Sequence, residues 1–233
     1  MNNKFSLKKL VILVTILAVP GFLYYLLQEK GKNRYRPLSF FGPKQVASTF
    51  HTVRGKQIPD TLYHKISNFQ LLNQFGDSVK FKTDSSKITV VNFFYTRCPS
   101  FCDNMNKELA RVVDNFKKNP FLQFFSISVD PSYDTAEILN KYSEKFGAKP
   151  PKWQFLTGGK EEIFKLAHKD FLVDAVVDTT QEHNIIHSPL FILVDTQKRI
   201  RGFYNSTDKE QVDKLIDEVK VLIAEELRKV KNR

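Results

Sequence analysis

Two cysteines, Cys98 and Cys102, are the only thiols in this chain of 233 residues. The segment that holds them, FFYTRCPSFCDNMNKEL (93–109), joins an apolar run to a helical pattern. Three interpretations are open: a buried structural pair, a redox dithiol that closes a reversible disulfide bond, or a pair of thiolate ligands for a metal ion. Two cysteines are too few for a disulfide framework or for a structural zinc site made of cysteines alone.

A metal ion bound by this pair would be a soft one. Cu(I) prefers thiolate ligands, and metals that take oxygen ligands do not suit the pair. Two thiolates leave room for a third ligand, for which an imidazole is the natural candidate. Among the five histidines, His187 differs from the others because it stands just before the apolar strand pattern PLFILVD (189–195).

The other four histidines are weaker candidates. His51 and His64 lie in or near a polar segment and are expected to be solvated. His168 lies on a predicted helix face and is expected to be a surface or packing residue. His183 lies in the polar stretch DTTQEHNIIHS and is a weaker ligand candidate than His187.

The sequence pattern on both sides of the cysteines predicts an α/β fold. The apolar, β-branched and aromatic run 88–96 is typical of a buried strand, and apolar residues recur at helical spacing over 105–116. A hairpin is predicted before this strand, at 69–81. The later pattern predicts strands at 121–130, 153–158, 189–195 and 200–206. It predicts helices at 134–147 (with an acidic cap and a terminal glycine), 160–171 and 208–228.

This alternation predicts a sheet with helices on both faces. The cysteines would lie at the C-terminal end of a buried strand and at the start of a helix, where ligands gather in α/β sheets and where a thiolate is stabilised. If both residues are helical, their i, i+4 spacing places them on one face.

The charge distribution indicates a membrane flank. The net charge is +11, but residues 1–44 carry eight basic side chains against one acidic side chain, and the remainder is nearly balanced. This distribution argues against a nucleic-acid-binding face. Residues 10–27 are uncharged and long enough to cross a bilayer. The predicted organisation is a short cytoplasmic end (1–9), a transmembrane anchor (10–27), a tether (28–60) and a folded domain (61–233).

Five motifs in this order, FFYTRCPSFC, SVDPSYDT, FLTG, HSPLFILVD and IRGFYNSTD, resemble the Sco/SenC family of thioredoxin-fold proteins over roughly residues 69–219. The resemblance implies a copper chaperone for the binuclear copper site of cytochrome c oxidase, with Cu(I) or Cu(II) held by Cys98, Cys102 and His187. It implies a partner that is the oxidase subunit with that copper site, or another copper or thiol protein. The implied location is a bacterial cytoplasmic membrane, with a single span and the domain on the extracytoplasmic side.

Two alternative functions stay open. A thiol-disulfide oxidoreductase would use Cys98 and Cys102 as its catalytic pair without metal delivery. A redox or copper sensor would act through a partner. Only a copper-delivering protein requires His187.

Two positions depart from the pattern common in the family. Asp103 stands where many members have proline, and Ile186 stands where many have a carboxylate. Asp103 disfavours the neighbouring thiolate, whereas Arg97 beside Cys98 acts in the opposite sense. Asp130 of the SVDP motif is a further residue that could support the site, with a turn or cap role as the alternative.

Overall fold

The computed structural model describes residues 7–30, 37–82, 87–177 and 185–231. The chain divides into two compact units, residues 1–36 and 37–233. In the first unit, helix α1 (Leu7–Lys30) continues through Pro20 without a break. Its segment Leu7–Leu26 is long and apolar enough to cross a membrane, by length and composition alone. The predicted anchor, residues 10–27, overlaps this candidate span except at the ends: the span starts three residues earlier and stops one residue earlier.

The second unit contains eleven strands and four helices within the described ranges. They are β1 (Lys44–Val53), β2 (Lys56–Tyr63), β3 (Phe69–Asn73), β4 (Ser78–Phe81), β5 (Ile88–Phe94), α2 (Cys102–Asn115), β6 (Leu122–Ser128), α3 (Ala136–Glu144), β7 (Trp153–Thr157), α4 (Lys160–Lys165) with a π-helical turn (Leu166–Asp170), β8 (Ala175–Val177), β9 (Ile185–His187), β10 (Leu190–Val194), β11 (Ile200–Asn205) and α5 (Lys209–Lys231). The predicted elements from residue 69 onward are therefore all present.

A seven-stranded mixed sheet forms the centre of the second unit, in the order β11-β10-β5-β6-β7-β3-β4. Strands β5, β6 and β7 run parallel, and the flanking pairs are antiparallel. Every residue of β5 and β6 is buried, as expected for strands covered on both faces. The hairpin predicted at 69–81 is confirmed as β3–β4.

Neighbouring phenylalanines of β5 show that both sheet faces are covered. Phe94 stacks on Tyr142 of α3, with ring centroids 5.4 Å apart. Phe93 contacts Phe171, just after the π-helical turn, at 5.4 Å. Because successive strand residues point to opposite faces, α3 and the α4 segment lie on opposite sides of the sheet.

The tether predicted for residues 28–60 is wrong over its second half. Residues 44–63 form an antiparallel hairpin of two strands, β1 and β2, which pair only with each other. The preceding segment is also bound to the domain: the Phe41 N–H donates to the Ile200 carbonyl at 3.0 Å, and the buried Arg201 guanidinium donates to the Leu38 carbonyl at 2.7 Å. These contacts link residues far apart in sequence, which local composition does not reveal. Residues 31–36 lie outside the described part.

Candidate metal centre

The two cysteines lie at the C-terminal end of β5, as predicted, but they do not share a helix. Helix α2 begins at Cys102, whereas Cys98 lies in the turn that leads into it. The Cys98 N–H donates to the Tyr95 carbonyl at 3.3 Å, which holds this turn against the end of the strand. The expectation that helical i, i+4 spacing aligns the two sulfurs is therefore wrong. Their approach results from the shape of the turn.

His187 reaches the cysteines from the end of a separate ribbon. Strands β8 and β9 are antiparallel, with Ala175 opposite His187. The base of the ribbon is closed by the Ser188 N–H, which donates to the Asp174 carbonyl at 3.1 Å. The exposure of β9 alternates, so that His187 is buried while Ile186 faces solvent.

The three side chains converge on one point. The Nε2 atom of His187 lies 3.1 Å from the Sγ atom of Cys102. The Sγ atoms of Cys98 and Cys102 and a ring nitrogen of His187 all lie within 4.8 Å of one another. Two sulfur ligands at about 2.3 Å from a shared metal ion can be at most about 4.6 Å apart. A small side-chain movement therefore brings this group to the spacing of a metal site.

Aromatic rings surround the imidazole of His187. The Phe101 ring centroid lies 4.7 Å from it, and the Tyr95 ring meets it edge-on at 5.7 Å. The Tyr95 hydroxyl accepts a hydrogen bond from the Ile185 N–H at 3.5 Å, which ties the ribbon to the end of β5. Neither aromatic residue was predicted from the sequence to belong to the site. Their positions beside the cysteines were visible in the sequence, but their orientation toward His187 was not.

The environments of the two thiols differ. Cys98 is partly exposed and Cys102 is buried, and neither forms a disulfide bond. Hydrogen bonds from Cys102 and then His187 lower the pKa of Cys98 to about 3, although partial burial opposes this. Burial raises the pKa of Cys102 above its ordinary value, and the hydrogen bond to Cys98 adds to this effect. Cys98 is therefore the accessible thiolate, and Cys102 is its protonated donor.

The imidazole of His187 lacks a partner on its other side. Its Nδ1 atom is buried and has no hydrogen-bond partner among the described residues. Histidine ligands usually donate this second N–H to a carboxylate or carbonyl, which orients the ring and raises its basicity. The preceding Ile186 faces solvent, on the side of the strand opposite His187, and the ring is held by Cys102 and its aromatic neighbours.

Asp103, the second departure, is fixed by helix α3. The Tyr142 hydroxyl donates to the Asp103 carboxylate at 2.7 Å, and the Lys145 ammonium lies 4.0 Å from it. Tyr142 also accepts a hydrogen bond from the Asn106 amide at 3.3 Å. The charge of Asp103 contributes to the raised pKa of Cys102, in the direction expected from the sequence. Asp103 therefore attaches the first turn of α2 to α3.

Arg97 and Asp130 pair with each other. The Arg97 Nη2 atom donates to the Asp130 carboxylate at 2.6 Å, and its guanidinium lies over the Tyr133 ring at 3.9 Å. The positive charge beside Cys98 is therefore largely balanced by a carboxylate. An influence of this pair on the thiols stays a prediction, since the contacts above join the two residues to each other and to Tyr133.

A buried carboxylate, Asp134, binds Thr96 at the start of the turn that carries Cys98. It accepts the Thr96 N–H at 3.1 Å and also the hydroxyl groups of Thr96 and Ser128. The acidic helix cap expected near this position is therefore wrong: Thr135 is the N-cap residue of α3, and its side chain accepts the Ile138 N–H. An aspartate before a helix is usually interpreted as an N-cap residue. Only the tertiary contacts show that Asp134 instead binds Thr96 and Ser128.

The other three described histidines have partners other than the thiols. His51 is exposed and pairs with Asp60, in agreement with the prediction. The Nε2 atom of His64 donates to the Asp170 carbonyl at 2.7 Å and is partly buried, so the solvated prediction for His64 is wrong. His168 is exposed and accepts the Ala175 N–H, in a packing role as predicted. His183 lies outside the described residues.

Comparisons with known proteins agree with this arrangement. The family model described as SCO1/SenC matches residues 59–224. The chain is 29% identical to the SCO1 protein homolog of Bacillus subtilis (strain 168) over 169 residues, which cover 71% of this chain and 86% of that protein.

Two solved structures have the same fold. BsSco, a member of the Sco family of cytochrome c oxidase assembly proteins with a disulfide switch, aligns with a TM-score of 0.59 and 27% identity, over 67% of this chain and 92% of that chain. Arabidopsis thaliana ScoI with copper bound aligns with a TM-score of 0.56 and 27% identity, over 66% of this chain and 98% of that chain. The predicted thioredoxin-like α/β fold is thereby confirmed.

Proposed function

The chain belongs to the SCO1/SenC family, and from this premise we propose that it binds copper and serves the assembly of cytochrome c oxidase. The observation that carries the proposal is the convergence of Cys98, Cys102 and His187 within 4.8 Å. The relative ScoI has been solved with copper bound, and BsSco belongs to a family of oxidase assembly proteins. The proposed partner is the oxidase subunit that receives copper, or another copper or thiol protein.

The donor set suits copper in both oxidation states. Cys98 and Cys102 supply the soft thiolates that Cu(I) prefers, and His187 supplies the imidazole that favours Cu(II). Copper is the cargo in this proposal. Cys98 is partly exposed, so an incoming thiolate of a partner can reach the site at this residue first, while the buried Cys102 and His187 retain the ion until ligand exchange is complete.

Titration with copper tests this proposal directly. We expect the reduced full-length protein in detergent to bind one equivalent of Cu(I) or Cu(II) against a competing chelator, with a thiolate-to-copper absorption band for Cu(II). The variants Cys98→Ser and Cys102→Ser should lose this binding. Copper bound equally well by these variants and the unaltered protein would refute the assignment. Loss of oxidase assembly in cells that carry only Cys98→Ser would support the proposed partner.

Thiol-disulfide exchange is a second candidate function. A partly exposed thiol with a lowered pKa beside a buried protonated thiol is the arrangement of a nucleophile and its resolving cysteine. In this reaction, a Cys98 thiolate attacks a partner disulfide and releases one partner thiolate. Cys102 then attacks the mixed disulfide, which leaves Cys98 and Cys102 oxidised and both partner cysteines reduced. Preparing the cysteines of a copper site in this way would also serve oxidase assembly.

We further propose that α1 anchors the protein in a bacterial cytoplasmic membrane with the domain on the extracytoplasmic side. The candidate span Leu7–Leu26 supports the anchor, and the pair Cys98 and Cys102, which suits oxidising surroundings, supports the extracytoplasmic side. We expect the full-length protein to sediment with membranes, to resist extraction by high salt and to be digested by protease added to spheroplasts. Recovery of the protein in the soluble fraction, or protection from external protease, would contradict the proposal.

A further inference from the structure

The hairpin β1–β2 exposes apolar side chains on both of its faces. Val46 and Phe50 are 77% and 59% exposed, and on β2 Ile58 is 42% exposed. Isolated two-stranded hairpins are marginally stable in water, and large exposed apolar side chains usually mark a binding surface. This hairpin therefore has the features of a surface that is covered in the cell.

The outer half of the hairpin, residues 50–59, carries apolar side chains on both faces. Phe50 lies opposite Pro59, and the next pair, His51 and Ile58, points to the other face of the ribbon. The turn between the strands carries two basic residues, Arg54 and Lys56. A narrow ribbon with apolar side chains on both sides and cations at its tip suits the boundary between lipid headgroups and acyl chains.

The charge of this part of the chain has a single sign. Residues 30–59 contain seven lysines and arginines and no aspartate or glutamate. The first acidic residue after them, Asp60, is paired with His51 at 2.6 Å. Each basic residue near an anionic membrane strengthens binding to it. A uniformly negative lipid surface fits such a run better than a protein surface of mixed charge.

We propose that the outer half of the hairpin docks into the headgroup layer of an anionic membrane. Phe50 and Ile58, which point to opposite faces of the ribbon, enter the boundary, and Arg54 and Lys56 bind lipid phosphates. The basic run 30–59 follows the candidate membrane span Leu7–Leu26 in the chain.

This contact would add a second attachment to the membrane. A single anchor leaves a domain free to rotate, whereas a second point of attachment restricts its orientation. The inference rests on the membrane location proposed above and is independent of copper binding. The metal centre would then face its membrane-bound partner from a limited set of directions.

Fluorescence of the full-length protein in vesicles tests the docking. The only native tryptophan, Trp153, is 1% exposed in the core and supplies a constant background. The variant Phe50→Trp places a reporter in the outer half of the hairpin. Phe75→Trp is the matched control, because Phe75 is also an exposed phenylalanine (60%), next to the turn of the β3–β4 hairpin.

In vesicles of phosphatidylglycerol and phosphatidylcholine with brominated acyl chains, we expect the added emission of Phe50→Trp to shift to shorter wavelength and to be about halved by bromine. The emission of Phe75→Trp should not change. Vesicles of brominated phosphatidylcholine alone should quench Phe50→Trp much less, because the phosphate contacts are then not attractive.

A charge reversal separates lipid docking from mere proximity. In the Phe50→Trp background, Arg54→Glu with Lys56→Glu should remove the quenching, while the control Lys80→Glu, at an exposed position of β4, should retain it. Equal quenching of Phe50→Trp and Phe75→Trp, no quenching in either lipid mixture, or no effect of the charge reversal would each overturn the proposal. If the vesicles are intact and quenching is absent, the exposed face of the hairpin would be assigned to a protein partner instead of lipid.

Discussion

Replacement of His187 by alanine is expected to weaken Cu(II) binding by about 100-fold or more. Loss of a group that merely supports a metal ligand costs about 10–100-fold in affinity, and His187 would be a ligand itself. Its Nε2 atom lies 3.1 Å from the Cys102 sulfur, so its removal leaves two thiols alone at the site. Cu(I) binding should be reduced but retained, because thiolates are its preferred ligands. Competition titrations and the thiolate-to-copper absorption band measure both effects.

The matching control is His51→Ala, which removes an exposed imidazole from the hairpin and should leave copper binding unchanged. Because His187 is buried beside Phe101, a second variant, His187→Gln, keeps most of the side-chain volume and separates loss of a ligand from loss of packing. Circular dichroism verifies that each variant is folded. Unchanged binding of both copper states by folded His187→Ala and His187→Gln would remove His187 from the site.

The alkylation rate of Cys98 in the metal-free protein is expected to change by less than about twofold between pH 8.5 and pH 5.5. The pKa of Cys98 is lowered to about 3, so its thiolate persists above that pH and is lost only below it. An ordinary cysteine with a pKa near 8.5 would react about 500-fold more slowly at the lower pH. Iodoacetamide labelling followed by mass spectrometry of the cysteine peptide measures the rate at each residue.

Three comparisons make this result specific. The urea-unfolded protein should show the ordinary pH dependence. Cys98→Ser should react slowly throughout, because the remaining Cys102 is buried and its pKa is raised. Cys102→Ala removes the main hydrogen-bond donor to Cys98 and should move the alkylation profile to higher pH. A Cys98 profile centred near pH 8.5 in the folded protein would contradict the geometry of the thiol pair.

The same variants separate copper delivery from disulfide exchange. Exchange depends on thiolate fraction, leaving-group pKa and access, so His187→Ala should reduce it far less than it reduces Cu(II) binding. Cys98→Ser and Cys102→Ser should abolish both activities. If His187→Ala cells assembled the oxidase normally despite impaired copper binding, thiol-disulfide exchange would be the better assignment.

Much of the fold could be predicted from the sequence, because the signals are local. The continuous apolar run of β5 identified a buried strand, and the helical spacing from Met105 onward identified α2. Together they placed the cysteines at a strand end without any tertiary information. His187 was singled out by its place just before β10, but its role as a ligand came from the family resemblance, since no local pattern joins residues 85 positions apart.

Only the tertiary structure decided how each group is used, because that depends on contacts between distant segments. The turn at Cys98 lies outside α2, so one sulfur is partly exposed and the other is buried. Asp134 looked like a helix cap in sequence, yet it binds the backbone of Thr96 from 38 positions away. The polar composition of residues 28–60 suggested a tether, and cross-strand pairing made residues 44–63 a hairpin. Composition and spacing determine which elements form, whereas burial and long-range hydrogen bonds determine which side chains meet.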